Sequence, residues 1–210
     1  MTDAQSPPRR GRPPKVERDF SDTRAALIRC GMELLTEQGF MTTGIDTVLK
    51  RVGVPKGSFY HYFESKEAFG QAVLEAFAGY FARKLDRWFL QDDVAPLQRL
   101  VDFVEDAKAG MARYAFCRGC LVGNLGQEVS LLPESFRLQL EATLCDWQAR
   151  LARCLVAARD AGELAPDADC EALAAFFWIG WEGAIQRARL TRDNVPLDIF
   201  IKGFLAGLPR

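Results

Sequence analysis

Two stretches of the chain carry side chains able to do chemistry. "FCRGCLVGNLGQEVS" sets Cys117 and Cys120 in C-x-x-C spacing, and "RVGVPKGSFYHYFESKEAF" holds the only histidine, His61, between Tyr60 and Tyr62. C-x-x-C spacing serves either a zinc site or thiol–disulfide exchange. A structural zinc needs four ligands, and no second C-x-x-C or nearby histidine supplies them. Thioredoxin-type exchange needs a βαβ setting, and no stretch here alternates convincingly with period two. A thiol-redox enzyme built on Cys117 and Cys120 is the alternative reading. A catalytic His61 would need an orienting acid on its own helical face, and none is spaced to provide one. No catalytic residue, metal or cofactor is expected.

Cys120 follows Arg118 and Gly119 at the start of a short predicted helix. A helix N-terminus and a nearby cation both lower a thiol pKa, so the sequence predicts a reactive thiol there. Packing as a small hydrophobe is the competing use, and it suits Cys30, Cys145, Cys154 and Cys170. A small-molecule pocket favours apolar bodies with single polar tips. Cys120, Asn124, Trp147, Trp181 and Glu182 match that description, with core packing the competing use for the tryptophans.

The elements that hold these residues read as all-α. Leu27, Ile28, Gly31, Leu34 and Leu35 recur at helical spacing, with Ser21 as the predicted cap and Gly39 as the end. A short helix follows, with Thr43 as cap, Asp46 completing a capping box, and Ile45, Val48, Leu49 and Val52 facing inward. Gly53 makes a turn and Pro55 opens a third helix. Ser65 caps a long helix to about residue 90. Further helices are predicted at about 95–114, 121–130, 134–161, 169–192 and 196–207.

Two short helices joined by a glycine turn match the helix-turn-helix layout, whose second helix enters the DNA major groove. Helical spacing sends Phe59, Tyr62 and Phe63 to the core. Lys56, Gly57, Ser58, Tyr60 and His61 remain for phosphates or base edges. Thr42, Thr43 and Lys66 stand at neighbouring helix starts, where phosphate oxygens are favoured. A merely solvated polar face would look the same. The leading "RRGRPPK" favours DNA, because an extended arm carrying Arg9, Arg10 and Arg12 can reach into a narrow minor groove.

Charge follows the same division. Residues 1–66 carry 11 Lys and Arg against 8 Asp and Glu, while residues 67–210 carry 16 against 20. A basic front on an acidic body suits an anionic partner. The start lacks the apolar core of a signal peptide, and the run 172–185 is interrupted by Glu182 and too short to span a bilayer. Six cysteines without an export signal read as reduced thiols, so the expected location is cytoplasmic.

"TTGIDTVLKRVGVPKGSFYHYFESKEAF" resembles the N-terminal signature of the TetR family of bacterial transcription regulators, with the likeness extending over residues 21–75. The resemblance implies an all-α fold of about nine helices. It divides the chain into a flexible basic arm (1–20), a three-helix DNA-binding domain (21–66) and an effector-binding and dimerisation domain (67–210). It further implies a homodimeric repressor on a palindromic double-stranded DNA operator, released by a small molecule. The operator contacts carried over by position are Thr42, Thr43, Lys56, Gly57, Ser58, Tyr60, His61 and Lys66. Gly44 and Leu49 depart from the family pattern, where Ser or Thr and Ala are usual. "RGCLVGNLGQE", "DWQ" and "FFWIGWEGAI" resemble a subgroup that includes an acrylate-responsive repressor of dimethylsulfoniopropionate catabolism and a repressor sensing N-ethylmaleimide and hypochlorous acid. That resemblance implies a sensing role for Cys120 and none for Cys117. Apolar residues on several faces of the helix over 169–192, with a second stripe on the last helix, predict a four-helix dimer interface.

Overall fold

The structure is a computed structural model and describes residues 20–210. Arg9, Arg10, Arg12 and the rest of the predicted arm up to residue 19 lie outside the described residues. Nine α-helices and no strand occur among the described residues: α1 (Phe20–Gln38), α2 (Ile45–Val52), α3 (Phe59–Tyr62), α4 (Lys66–Phe89), α5 (Pro96–Arg113), α6 (Leu121–Gln127), α7 (Glu134–Asp160), α8 (Cys170–Thr191) and α9 (Val195–Ala206). Among them, no helix is long and apolar enough to cross a membrane.

Local chemistry sets most boundaries. Gly39 and Gly53 end α1 and α2 in left-handed conformations, at φ 86° and 72°, which glycine adopts without a Cβ penalty. Ser65 caps α4 by accepting from the Ala68 N–H at 3.0 Å. Four details differ from expectation. Ser21 lies inside α1 rather than capping it, and the Phe20 ring packs on Tyr62 at 4.7 Å. Gly44, not Thr43, is the N-cap of α2; the Thr43 hydroxyl donates to the Gly39 carbonyl at 2.6 Å and is buried. Asp46 does not close a capping box and instead binds Lys56. The third helix is a 3-10 turn, Lys56–Ser58, followed by the single turn of α3.

α4 is the central helix, packed against α1, α5 and α7; α2 packs on α1, α8 packs on α7, and α9 packs on α8 and α5. Phe59, Phe63 and Phe69 make one aromatic cluster. Phe81, Phe103, Trp147 and Trp178 make another. Gly70 lets three elements meet: a Cβ there would lie 2.5 Å from Phe40 Cε2 and 2.6 Å from Phe136 Cζ. Those rings are themselves buried and have no room to retreat. Gly70→Ala is therefore expected to cost about 1–3 kcal/mol. Gly110→Ala, on a helix where a Cβ meets nothing within 4 Å, is expected to be neutral or slightly stabilising. Thermal unfolding of the two variants checks the contrast.

Candidate DNA-binding and effector sites

The proposed operator face rests on the aromatic cluster beneath it. Phe59 and Phe63 are buried against Phe69, which anchors α3, while Tyr62 is half-buried against Phe20. Lys56, Gly57, Tyr60 and His61 are exposed on the other side, with Ser58 half-buried. Lys56 Nζ lies 2.7 Å from Asp46 Oδ2, an exposed pair that a phosphate would have to displace. The Thr42 hydroxyl donates to the Gln38 carbonyl. Thr43, expected at an operator, has its side chain buried and its hydroxyl committed to the Gly39 carbonyl, apart from the exposed face of Lys56, Gly57, Tyr60 and His61. Lys66 is partly withdrawn: its Nζ lies 4.5 Å above the Phe40 ring and 3.4 Å from the Met41 carbonyl, and burial lowers its pKa.

Cys120 sits at the start of α6, only 7% exposed, in the wall of two cavities. One, about 330 Å³, is lined largely by aromatic residues that include Phe77, Tyr80, Phe81, Phe103 and Trp181. The other, about 450 Å³, is polar and lies between the end of α1, α6 and α8, with Asn124, Glu128, Gln186 and Arg189 in its wall. Cys120, Glu182 and Ile185 belong to both, so these three side chains separate the two spaces. Trp147 lines neither; it is fully buried behind Phe81 and Trp178.

The expected lowering of the Cys120 pKa is reversed. Burial pushes the thiol well above its usual value and the Glu182 carboxyl adds to this, while the Gly123 and Val122 amides oppose it. Arg118 does not help, because its guanidinium turns to α1, 2.7 Å from Glu37 and 3.5 Å from Glu33, and stacks over Tyr114 at 4.2 Å. Burial likewise raises Glu182 to about 7, against the hydrogen bond from Cys120 that lowers it. The segment leading to the site is strained, since Ala115 and Phe116 both hold positive φ, at 49° and 58°. Cys117 is exposed and its thiol donates to the Tyr114 carbonyl at 2.8 Å, so the two cysteines occupy different surroundings.

A set of hydrogen bonds joins this region to the helix-turn-helix. The Asn124 amide donates to the Thr36 carbonyl at 2.6 Å and accepts from Arg189 Nη1 at 2.6 Å. Glu128 Oε2 accepts the N–H groups of Phe40 and Met41, at 2.9 and 3.1 Å, in the turn between α1 and α2. Arg189 and Glu128 were not among the residues expected from the sequence. For Arg189 a signal exists: Glu182, Ile185 and Arg189 stand at i, i+3 and i+7 on α8, one helical face.

Residues 27–73 match the family described as bacterial regulatory proteins, tetR family, and residues 96–204 match the tetracyclin repressor-like C-terminal domain. The chain belongs to the TetR family. This TetR-family protein is a DNA-binding transcriptional regulator, 52% identical over 197 residues to the transcriptional regulator AcuR of Cereibacter sphaeroides, covering 94% of this chain and 90% of that protein. It is 30% identical over 177 residues to the transcriptional repressor NemR of Escherichia coli strain K12, covering 84% and 89%. The crystal structure of the regulatory protein TetR from Rhodobacter sphaeroides superposes with a TM-score of 0.86 at 51% identity, covering 89% of this chain and 98% of that one.

Proposed function

We propose that the protein is a homodimeric repressor that leaves a two-fold operator when a small electrophilic or unsaturated carboxylate effector reaches Cys120. Residues 21–66, with the arm before them, contact DNA, and residues 67–210 bind the effector and the second copy. The carrying observation is that Cys120 stands between two cavities whose walls are bonded directly to the end of α1. An occupant that shifts α6 moves Asn124 and Glu128, and with them the Thr36 carbonyl and the α1–α2 turn. Acrylate, acrolein or N-ethylmaleimide is small enough for either space. The name of NemR as a repressor supports the sign of regulation. The effector has to bind the DNA-free conformation more tightly, since equal affinity for both states shifts nothing.

DNA binding of this kind is salt-dependent, with log K falling by roughly 0.9 per neutralised phosphate for each log unit of salt. Gel shift on the promoter beside the protein's own gene tests the reading. Lys56→Ala and deletion of residues 1–18 are each expected to weaken binding and to flatten the salt slope. Wild-type affinity for both variants at several salt concentrations would show that these groups do not touch the operator.

A further inference from the structure

Among the described residues, Glu182 is the one buried carboxyl at the two cavities with an oxygen left without a partner. Its Oε1 is buried and has no hydrogen-bond partner, while Oε2 lies over the bare Cα of Gly123, where a Cβ would come within 1.9 Å of it. The carboxyl also lies beside the Cys120 thiol in the wall shared by the two cavities, close enough for each to shift the other's titration. Other charged groups facing the cavities are engaged. From α1, Glu33 and Glu37 bind Arg118 of the α5–α6 connection. Lys84 of α4 binds Asp106 of α5. Glu128 holds two backbone amides beyond α6, and Arg189 of α8 holds the Asn124 amide oxygen and the Cys117 carbonyl.

We propose that Glu182 is the base that activates Cys120 toward Michael acceptors. The proposal rests on reading Cys120 as the effector site. As the sulfur bonds to the β-carbon of an α,β-unsaturated carbonyl compound, the S–H bond breaks and its proton passes to the Glu182 carboxylate. The alkene π pair moves toward the carbonyl, leaving an enolate. Glu182 then returns the proton to the α-carbon, so the sum is simple addition and no oxidant or reductant is consumed. The need for such a base follows from burial: the thiol is held protonated at neutral pH, so little thiolate is present to react unaided. A carboxyl titrating near neutrality is half ionised there, which suits it to accept a proton in the transition state. The backbone N–H groups of Gly123 and Val122, at the start of α6, oppose the rise in the thiol's pKa and favour the charge that develops on the sulfur.

The test uses the full chain without DNA, treated with N-ethylmaleimide across about pH 6–8, with alkylation of Cys120 read by peptide mass spectrometry. Glu182→Gln is expected to react roughly a hundredfold more slowly near neutrality, the scale of a lost general base. Its rate should climb with hydroxide throughout, whereas the wild-type rate rises as Glu182 ionises and then climbs less steeply. Glu182→Asp, which keeps a carboxyl, is expected to retain the wild-type shape of the profile. A Glu182→Gln rate equal to or above wild type, with the same profile, overturns the assignment. Operator release measured on the same samples separates the two claims. If Glu182→Gln is slow and the alkylated wild type still holds its operator, Glu182 is the base and Cys120 is not the sensor.

Discussion

Ile179→Glu is expected to leave the protein monomeric and to remove specific operator binding. The chain keeps Ile179 73% and Ile199 67% exposed on α8 and α9, with Phe176, Leu190 and Val195 exposed beside them. Isolated exposed apolar side chains are ordinary, but a contiguous set on two adjacent helices marks an association surface. Gly180 belongs to the protomer's own packing, since a Cβ there would lie 2.3 Å from Phe200, whereas Gly183 has nothing within 4 Å and is open to a partner. An unpaired carboxylate buried in such an interface costs several kcal/mol, and each 1.4 kcal/mol is a tenfold change in association. Loss of the dimer splits the two half-sites and their combined affinity. Analytical ultracentrifugation at low micromolar concentration, beside gel shift, reads both effects. A dimeric Ile179→Glu with wild-type operator affinity would place the interface elsewhere.

The second large effect is on stability. Glu182 titrates near 7 in the folded protein against an ordinary carboxyl value of 4.5. Between those values the folded chain holds a proton that the unfolded chain has lost, so stability falls as pH rises through that window and is level above it. The shift corresponds to at most about 3 kcal/mol, with water in the half-open cavity trimming that figure. Glu182→Gln removes the titration and is expected to unfold at a higher temperature than wild type at pH about 8. At a gain of roughly 2–4 °C per kcal/mol the difference is measurable. Near pH 4.5 the two are expected to match. Parallel curves at both pH values would mean that Glu182 is not protonated by burial. The penalty that wild type carries is the kind that persists where a buried acid does chemistry.

The helices were legible because their signals are local. Ser65 caps α4, Gly39 and Gly53 stop α1 and α2, and α5 to α9 follow apolar stripes that need no tertiary knowledge. The short helices were less so. Thr43 is spaced as a cap, but the turn after Gly39 folds its hydroxyl back onto that residue's carbonyl. Around Cys120, sequence neighbours are a poor guide to spatial ones. Arg118 stands two residues from Cys120 yet pairs with Glu33 and Glu37, which are more than eighty residues away in the chain. Glu182 offers only a polar tip in the sequence; in the fold its carboxyl adds to the burial that raises the Cys120 thiol. Trp147 carries the same kind of polar tip and is core, because its aromatic neighbours come from α4 and α8. Such pairings are fixed by packing between distant segments, which periodicity does not report.

Whether occupation of Cys120 releases the protein from DNA is read by following both quantities in one titration. Operator-bound protein is treated with increasing N-ethylmaleimide or acrolein, and each sample is divided between gel shift and peptide mass spectrometry. The fraction of DNA released is expected to track the fraction of Cys120 modified, and Cys120→Ser is expected to stay bound at the same doses. Release of Cys120→Ser at wild-type doses, or full modification of Cys120 with the operator still held, would contradict the account.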